Sequence, residues 1–237
     1  MKAPFLTAEW KHLIMVNYVV DAKLLQPYLP YKTELDIHDD KVLVSLVGFM
    51  FLNTRMLGMK IPFHVNFEEV NLRFYVRHND GGTWKRGTVF IKEIVPKAAI
   101  SFVANNLYNE KYSTMPMNHF FNKNGGEVNL GYGWKYKQKW NRLEATIDYT
   151  PTPMISGSEE IFIAEHYWGY SKYKEQVTFE YEVRHPQWNI FPVKDYLVDC
   201  DFRALYGNDF LSLNTAQPNS VLVAEGSPIS IMHKRNL

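Results

Sequence analysis

Alternation of polar and apolar positions is the leading pattern in this chain. In FEEVNLRFYV, Phe67 to Val76, the residues Glu69, Asn71, Arg73 and Tyr75 fall at every second position, with Glu68, Val70, Leu72, Phe74 and Val76 between them. That is the period of a strand. In a strand with one wet face the polar row meets water; in the competing reading it lines the inside of a barrel. HLIMVNYVV at 12 to 20 and VLVSLVGFMFL at 42 to 52 are β-branched and aromatic and predict two further strands, the second buried. Between them Asp21 predicts the cap of a short helix through DAKLLQPYL that Pro30 stops. HDDK at 38 to 41 predicts a turn after a short strand near Glu34 to Ile37, and LGMKIP at 57 to 62 a loop.

The turn signal NDGG at 79 to 82 joins FEEVNLRFYV to RGTVFIKEIV, predicting an antiparallel hairpin. Two registers are open. If Arg77 pairs with Lys85, Glu69 lies opposite Glu93 and one face carries Glu69, Asn71, Arg73 and Glu93. A slip of one residue sets Glu69 against Lys92 and adds Thr88 and Arg86 to that face. Pro96 predicts the first turn of a helix through KAAISFVANNLY, with Lys97 near its N-terminus.

Further on, NKNGG predicts a turn and EVNLGYGWKYKQKWNRLEATIDY, 127 to 149, two or three meandering strands. Within WKYKQKW the aromatics Trp134, Tyr136 and Trp140 are expected on one face and Lys135, Lys137 and Lys139 on the other, which speaks against a single nucleic-acid surface. TPTPMISGS at 150 to 158 is the best linker by composition, and Ser158 with Glu159 and Glu160 predicts a helix running to about Tyr167. Strands are expected at QVTFEYEVRH, near YLVDC, at SVLVAE and at PISIMH, with a helical turn at DFRALYG. The expected fold is mainly β, of the α+β class: an antiparallel barrel or curved sheets with a few short helices, as one domain over 1 to 237.

Composition narrows the function classes. Hydrophobic residues make up 46% of the 237 and charged ones 22%, enough for a core. Lys and Arg number 26 against 25 Asp and Glu, so no electrostatic footprint points to nucleic acid or anionic membrane as a partner. The longest nearly apolar run falls short of the roughly 18 to 20 residues a spanning helix needs. One cysteine, Cys200, and an N-terminus without a long apolar stretch point to the cytoplasm. The eight histidines are scattered without a metal-ligand spacing, and no nucleotide or dinucleotide motif is present, so neither metal nor cofactor is expected.

The candidate chemistry sits on the hairpin. Two carboxylates, Glu69 and Glu93, held together in shelter would raise one another's proton affinity, while Arg73 would oppose that. Such a cluster suits proton transfer, with Arg73, Asn71 and Tyr75 as ligand contacts. The competing readings are a solvent-facing salt-bridged ladder and a subunit interface, which leaves a homo-oligomer open. Lys97 is the candidate nucleophile, since an amine at a helix N-terminus is disfavoured in its charged form.

The strings VSLVGF, IPFHVNFEEVNLRFYV, RGTVFIKEIVPK, AEHYWGY and VRHPQW, in that order, resemble the YqjF-like family of bacterial proteins, which is grouped with the acetoacetate decarboxylase superfamily. The resemblance implies an acetoacetate-decarboxylase-like fold around a ligand cavity, lined by the polar row of FEEVNLRFYV. Those decarboxylases form an imine between a lysine and a β-keto acid. EIVPKAA is similar to their lysine segment, placing Lys97 at the nucleophile and Glu93 at the preceding acid. Ala98 stands where they carry a second lysine, so a main cause of the depressed amine pKa is missing. Two functions follow as expectations. One is a Schiff-base lyase or decarboxylase-like enzyme using Lys97, Glu93 and Glu69 on a small carboxylate- or carbonyl-bearing compound; the other is a non-catalytic binding or sensing module.

Overall fold

The computed structural model describes residues 3–237. Four long strands, β1 (Leu6–Val19), β2 (Leu43–Met56), β3 (Phe67–Asp80) and β4 (Thr83–Val95), lie side by side in that order, each antiparallel to the next. β1 pairs on its other edge with Ser220–Ile231. Beyond β4 the sheet continues through Trp168–Lys174 and Val177–Arg184. That last strand also pairs with Ser220–Ile231, at Val183–Ile231 and Arg184–Ser230, so the sheet is strongly curved. A second sheet of four strands, Val193–Asp199, Lys139–Asp148, Glu127–Tyr136 and Met117–Asn124, packs against its outside.

The packing settles which face of β3 is buried, because both are. Val70, Leu72, Phe74 and Val76 are fully buried and share a core with Leu130, Trp134 and Leu143 of the second sheet. Each such side chain stabilises the fold by about 2 kcal/mol, so this row fixes the orientation of β3. The polar row is thereby turned to the concave side, where Tyr75 and Phe67 join a second core with Leu13, Met15 and Phe49. Glu69, Asn71 and Arg73 are also buried there. A solvent-facing charged ladder is excluded.

The hairpin takes neither expected register. Gly81 and Gly82, at φ +63° and +95°, form a two-residue turn that glycine adopts without strain. Asp80 therefore pairs with Thr83, and Arg77 with Arg86. Between Leu72 and Arg73 the register shifts, leaving Ile91 as the extra residue. This bulge reverses the alternation of β4. Phe90 and Glu93 consequently share the concave face, with Glu93 opposite Asn71 and Thr88 opposite Tyr75.

Other local expectations are corrected by the same kind of detail. The helix α1 (Ala98–Tyr108) begins after Lys97, which is its N-cap, so Pro96 precedes the first turn instead of occupying it. Trp140 pairs with Lys135 and Trp134 with Asn141; the intervening turn reverses the chain, so Trp134 is buried and Trp140 is 41% exposed on the opposite face. The helix capped by Ser158 ends at Ala164. SVLVAE and the PISI of PISIMH belong to one strand, Ser220–Ile231. Within the compositional linker, Thr152–Pro153 pairs with Asn189–Ile190, which stitches it to the large sheet. Among the described residues no helix is long and apolar enough to cross a membrane.

Candidate functional site

Two adjoining cavities lie on the concave side. The smaller, of about 60 Å³, has Glu69, Asn71 and Arg73 of β3 and Glu93 of β4 in its wall. The larger, of about 170 Å³, is mainly apolar, with Phe5, Phe51, Ile61, Phe67 and the α1 residues Ile100 and Val103 around it. Phe51, Glu93, Tyr112, Tyr181 and Ile231 border both. A polar end thus meets an apolar end.

The polar end is a network of carboxyls and phenols. Asn71 Nδ2 donates to Glu69 Oε1 and the Tyr112 hydroxyl to Glu69 Oε2, each at 2.9 Å. The Tyr181 hydroxyl donates to Glu110 Oε1 at 2.8 Å. Tyr112 is brought in by the short strand Tyr112–Thr114, which runs parallel to β4 and sets Tyr112 beside Glu93. Glu110 follows the left-handed residue Asn109 that ends α1. Tyr181 needs Gly169 opposite it: a Cβ there would lie 2.1 Å from Cζ of the Tyr181 ring.

Burial dominates the electrostatics. It raises the pKa of Glu69 to about 7 and of Glu110 to about 8, against the hydrogen bonds from Asn71, Tyr112 and Tyr181. Glu93 is raised well above the carboxylate range by burial and by the neighbouring charges of Glu110 and Glu69. Near neutrality this corner is therefore rich in protonated acid, which donates as well as accepts.

Arg73 is the opposite case. Its guanidinium lies 3.8 Å from Met15 Sδ and 5.7 Å from the centre of the Tyr75 ring. No carboxylate stands at ion-pair distance among the described residues, and its Nε has no hydrogen-bond partner. Glu93 Oε2 and Asn71 Oδ1 are also without partners.

His166 borders the same small cavity and leads to a second group behind its wall. His166 directs Nε2 to Asp36 Oδ2 at 3.1 Å, and Arg86 donates from Nε to that oxygen at 2.6 Å. Burial lowers the His166 pKa to about 4, and the hydrogen bonds from His166 and Arg86 hold Asp36 low. His166 is thus neutral; its Nε2 lies 3.1 Å from Asp36 Oδ2 and 3.4 Å from Arg86 Nη2, and the shorter contact, to an ionised carboxylate that only accepts, favours the tautomer with the proton on Nε2. Its Nδ1 has no partner. Among the described residues no three His, Cys, Asp or Glu side chains gather as a metal-ligand set.

The structure therefore brings Glu69, Asn71, Arg73 and Glu93 together on one cavity wall. Tyr75 stands apart: its hydroxyl hydrogen-bonds Ser45 Oγ at 2.6 Å and its ring is covered by His166. Lys97 is half-buried at the α1 N-cap and borders neither cavity. Sequence reasoning missed Glu110, Tyr112, Tyr181 and His166. The only available signal was Tyr181 in the apolar row of QVTFEYEVRH, since a buried tyrosine hydroxyl requires a partner.

The order and curvature of the sheets place the chain in the acetoacetate decarboxylase-like class of fold. The chain is similar to acetoacetate decarboxylase from Legionella pneumophila, with a TM-score of 0.69 at 13% identity over 99% of this chain and 88% of that one. It is also similar to the enduracididine biosynthesis enzyme MppR complexed with pyruvate, at a TM-score of 0.68 and 14% identity over 100% and 91% of the two chains. At these identities the likeness is one of fold. Within that class the chain belongs to the family DUF2071, uncharacterized conserved protein (COG2071), whose model matches residues 7–228. It is 24% identical over 186 residues to YqjF of Bacillus subtilis (strain 168), covering 76% of this chain and 72% of the relative.

Proposed function

We propose that the paired cavities bind a small carboxylate-bearing compound, with the carboxylate on Arg73 and protonated Glu93 and Glu69 serving its oxygens. One observation carries this reading: Arg73 is 9% exposed, borders the cavity and has no counter-ion among the described residues. A buried charge without a partner is costly, and a ligand anion removes that cost. The pairing of Val177–Arg184 with Ser220–Ile231 supports reading the large sheet as a barrel around the ligand. Pyruvate bound to MppR agrees with a small carboxylate in this class of fold.

Binding is the reading best supported; turnover would add proton transfer by Glu69 or Glu93 to the bound compound. Calorimetric titration with pyruvate and acetoacetate tests it. Saturable binding that Arg73→Met abolishes is expected. Equal binding to both proteins, or binding to neither, contradicts it.

Imine formation by Lys97 is a second reading, favoured by its place just ahead of Ala99 and Ile100, which border the larger cavity. It predicts a borohydride-trapped adduct with acetoacetate that Lys97→Ala eliminates. No adduct, or the same adduct in the variant, removes it.

A further inference from the structure

His166 is built as a fixed acceptor. Its ring is tilted over Tyr75 at 4.6 Å between centroids and meets Phe162 edge-on at 5.1 Å, so packing holds its plane. Nε2 sits 3.1 Å from Asp36 Oδ2, the oxygen that Arg86 Nε also holds, and 3.4 Å from Arg86 Nη2; the closer, acceptor-only carboxylate sets the proton on Nε2. The side chain is 1% exposed. A histidine with a purely packing role would satisfy both nitrogens or turn one to water; here Nδ1 is buried without a partner, and with the proton on Nε2 it holds a lone pair. The same residue borders the cavity that Arg73 borders.

We infer that His166 Nδ1 accepts a hydrogen bond from a hydroxyl on the ligand whose carboxylate meets Arg73, so that the pocket selects small hydroxycarboxylates over the keto or unsubstituted acids of equal length. This rests on the Arg73 reading and adds the ligand class to it. A keto oxygen only accepts, and would set its lone pairs against that of Nδ1; a methylene leaves Nδ1 unpaired. A hydroxyl donates. Asp36 is then a positioning residue, fixing the tautomer that leaves Nδ1 free.

The test uses two matched series, lactate with pyruvate and propionate, and 3-hydroxybutyrate with acetoacetate and butyrate, titrated calorimetrically into wild type, His166→Phe and Arg73→Met. Leaving one buried acceptor unpaired weakens binding by roughly tenfold or more. The hydroxy acid of at least one series is expected to bind about tenfold tighter than its two analogues in wild type. In His166→Phe that preference is expected to fall to within about twofold while carboxylate binding persists. Nitrogen-15 spectra of wild type, which need no variant to fold, are expected to show Nδ1 unprotonated and its resonance shifting with the hydroxy acid but not with the unsubstituted acid. Arg73-dependent binding without preference, or an unmoved Nδ1 resonance, overturns the His166 inference alone. No binding of any of the six acids to wild type overturns the Arg73 reading and this one with it.

Discussion

Glu180 and Glu93 are both sealed from solvent, at 0% and 2% exposure, yet they are provided for differently. Glu180 receives Arg235 on one oxygen and the Tyr170 hydroxyl on the other at 3.2 Å, with Lys85 at 3.6 Å. Lys85 and Arg235 also hold Asp80, so four charges close into one network that ties the chain's end to the hairpin. Around Glu93 stand Tyr112 and the acids Glu110 and Glu69, and Arg73, whose charge favours ionised Glu69, has no carboxylate at ion-pair distance among the described residues. A buried charge that serves folding is given its partners by the fold. The corner beside the cavity leaves donors and acceptors open, which is what a site for an outside partner requires.

The contrast breaks first at Arg73. Arg73→Met is expected to weaken carboxylate binding by about 100-fold or more, the scale of removing one member of a buried charge pair, while leaving the unliganded protein as stable or more so. Calorimetry and thermal unfolding check the two halves. A variant that loses stability along with binding would make Arg73 a structural residue like Arg235. Next, Glu180→Gln is expected to cost about 2 kcal/mol in denaturant unfolding, through its charge-assisted hydrogen bonds. Glu93→Gln, which replaces a protonated acid with a neutral amide of the same shape, is expected to cost less than about 0.5 kcal/mol. Similar losses at the two positions would erase the distinction.

pH sharpens it further. Glu69, Glu93 and Glu110 have folded pKa values raised above those of the unfolded chain. Between the ordinary carboxylate range and about pH 8 the folded state therefore holds more protons than the unfolded, and stability falls as pH rises through that window. His166, lowered to about 4, works the other way and adds stability from about pH 4 to its ordinary pKa near 6.5. Melting temperature is thus expected to decline from pH 6.5 to 8, and Glu69→Gln to flatten the decline. A rising profile would mean that the acids are ionised in the fold. The smallest effect is expected from Lys97→Ala, with Kd for pyruvate unchanged within about twofold, since Lys97 borders neither cavity.

The parts that sequence revealed are those set by neighbours along the chain. The alternation of FEEVNLRFYV, the glycines of NDGG and the caps at Asp21 and Ser158 each act over a few residues, and each is found where the pattern puts it. The register was missed twice: at the turn, where Gly81 and Gly82 close a two-residue loop that pairs Asp80 with Thr83, and at the bulge at Ile91, which carries no glycine or other local mark. The bulge is nevertheless the feature that turns Glu93 to the cavity. Glu110, Tyr112 and Tyr181 were missed for a related reason: they reach the site through a helix end and a distant strand pairing. His166 looked like one scattered histidine, and its partner Asp36 lies 130 residues away.

The most direct test is a thermal unfolding cycle of wild type and Arg73→Met, each with and without pyruvate in large excess over its Kd for wild type. The buried, unpaired guanidinium predicts that wild type is no more stable than the variant when empty and gains on the order of 2.7 kcal/mol at 100 times Kd, while the variant gains nothing. A variant that is less stable when empty and gains as much from pyruvate as wild type would contradict the account.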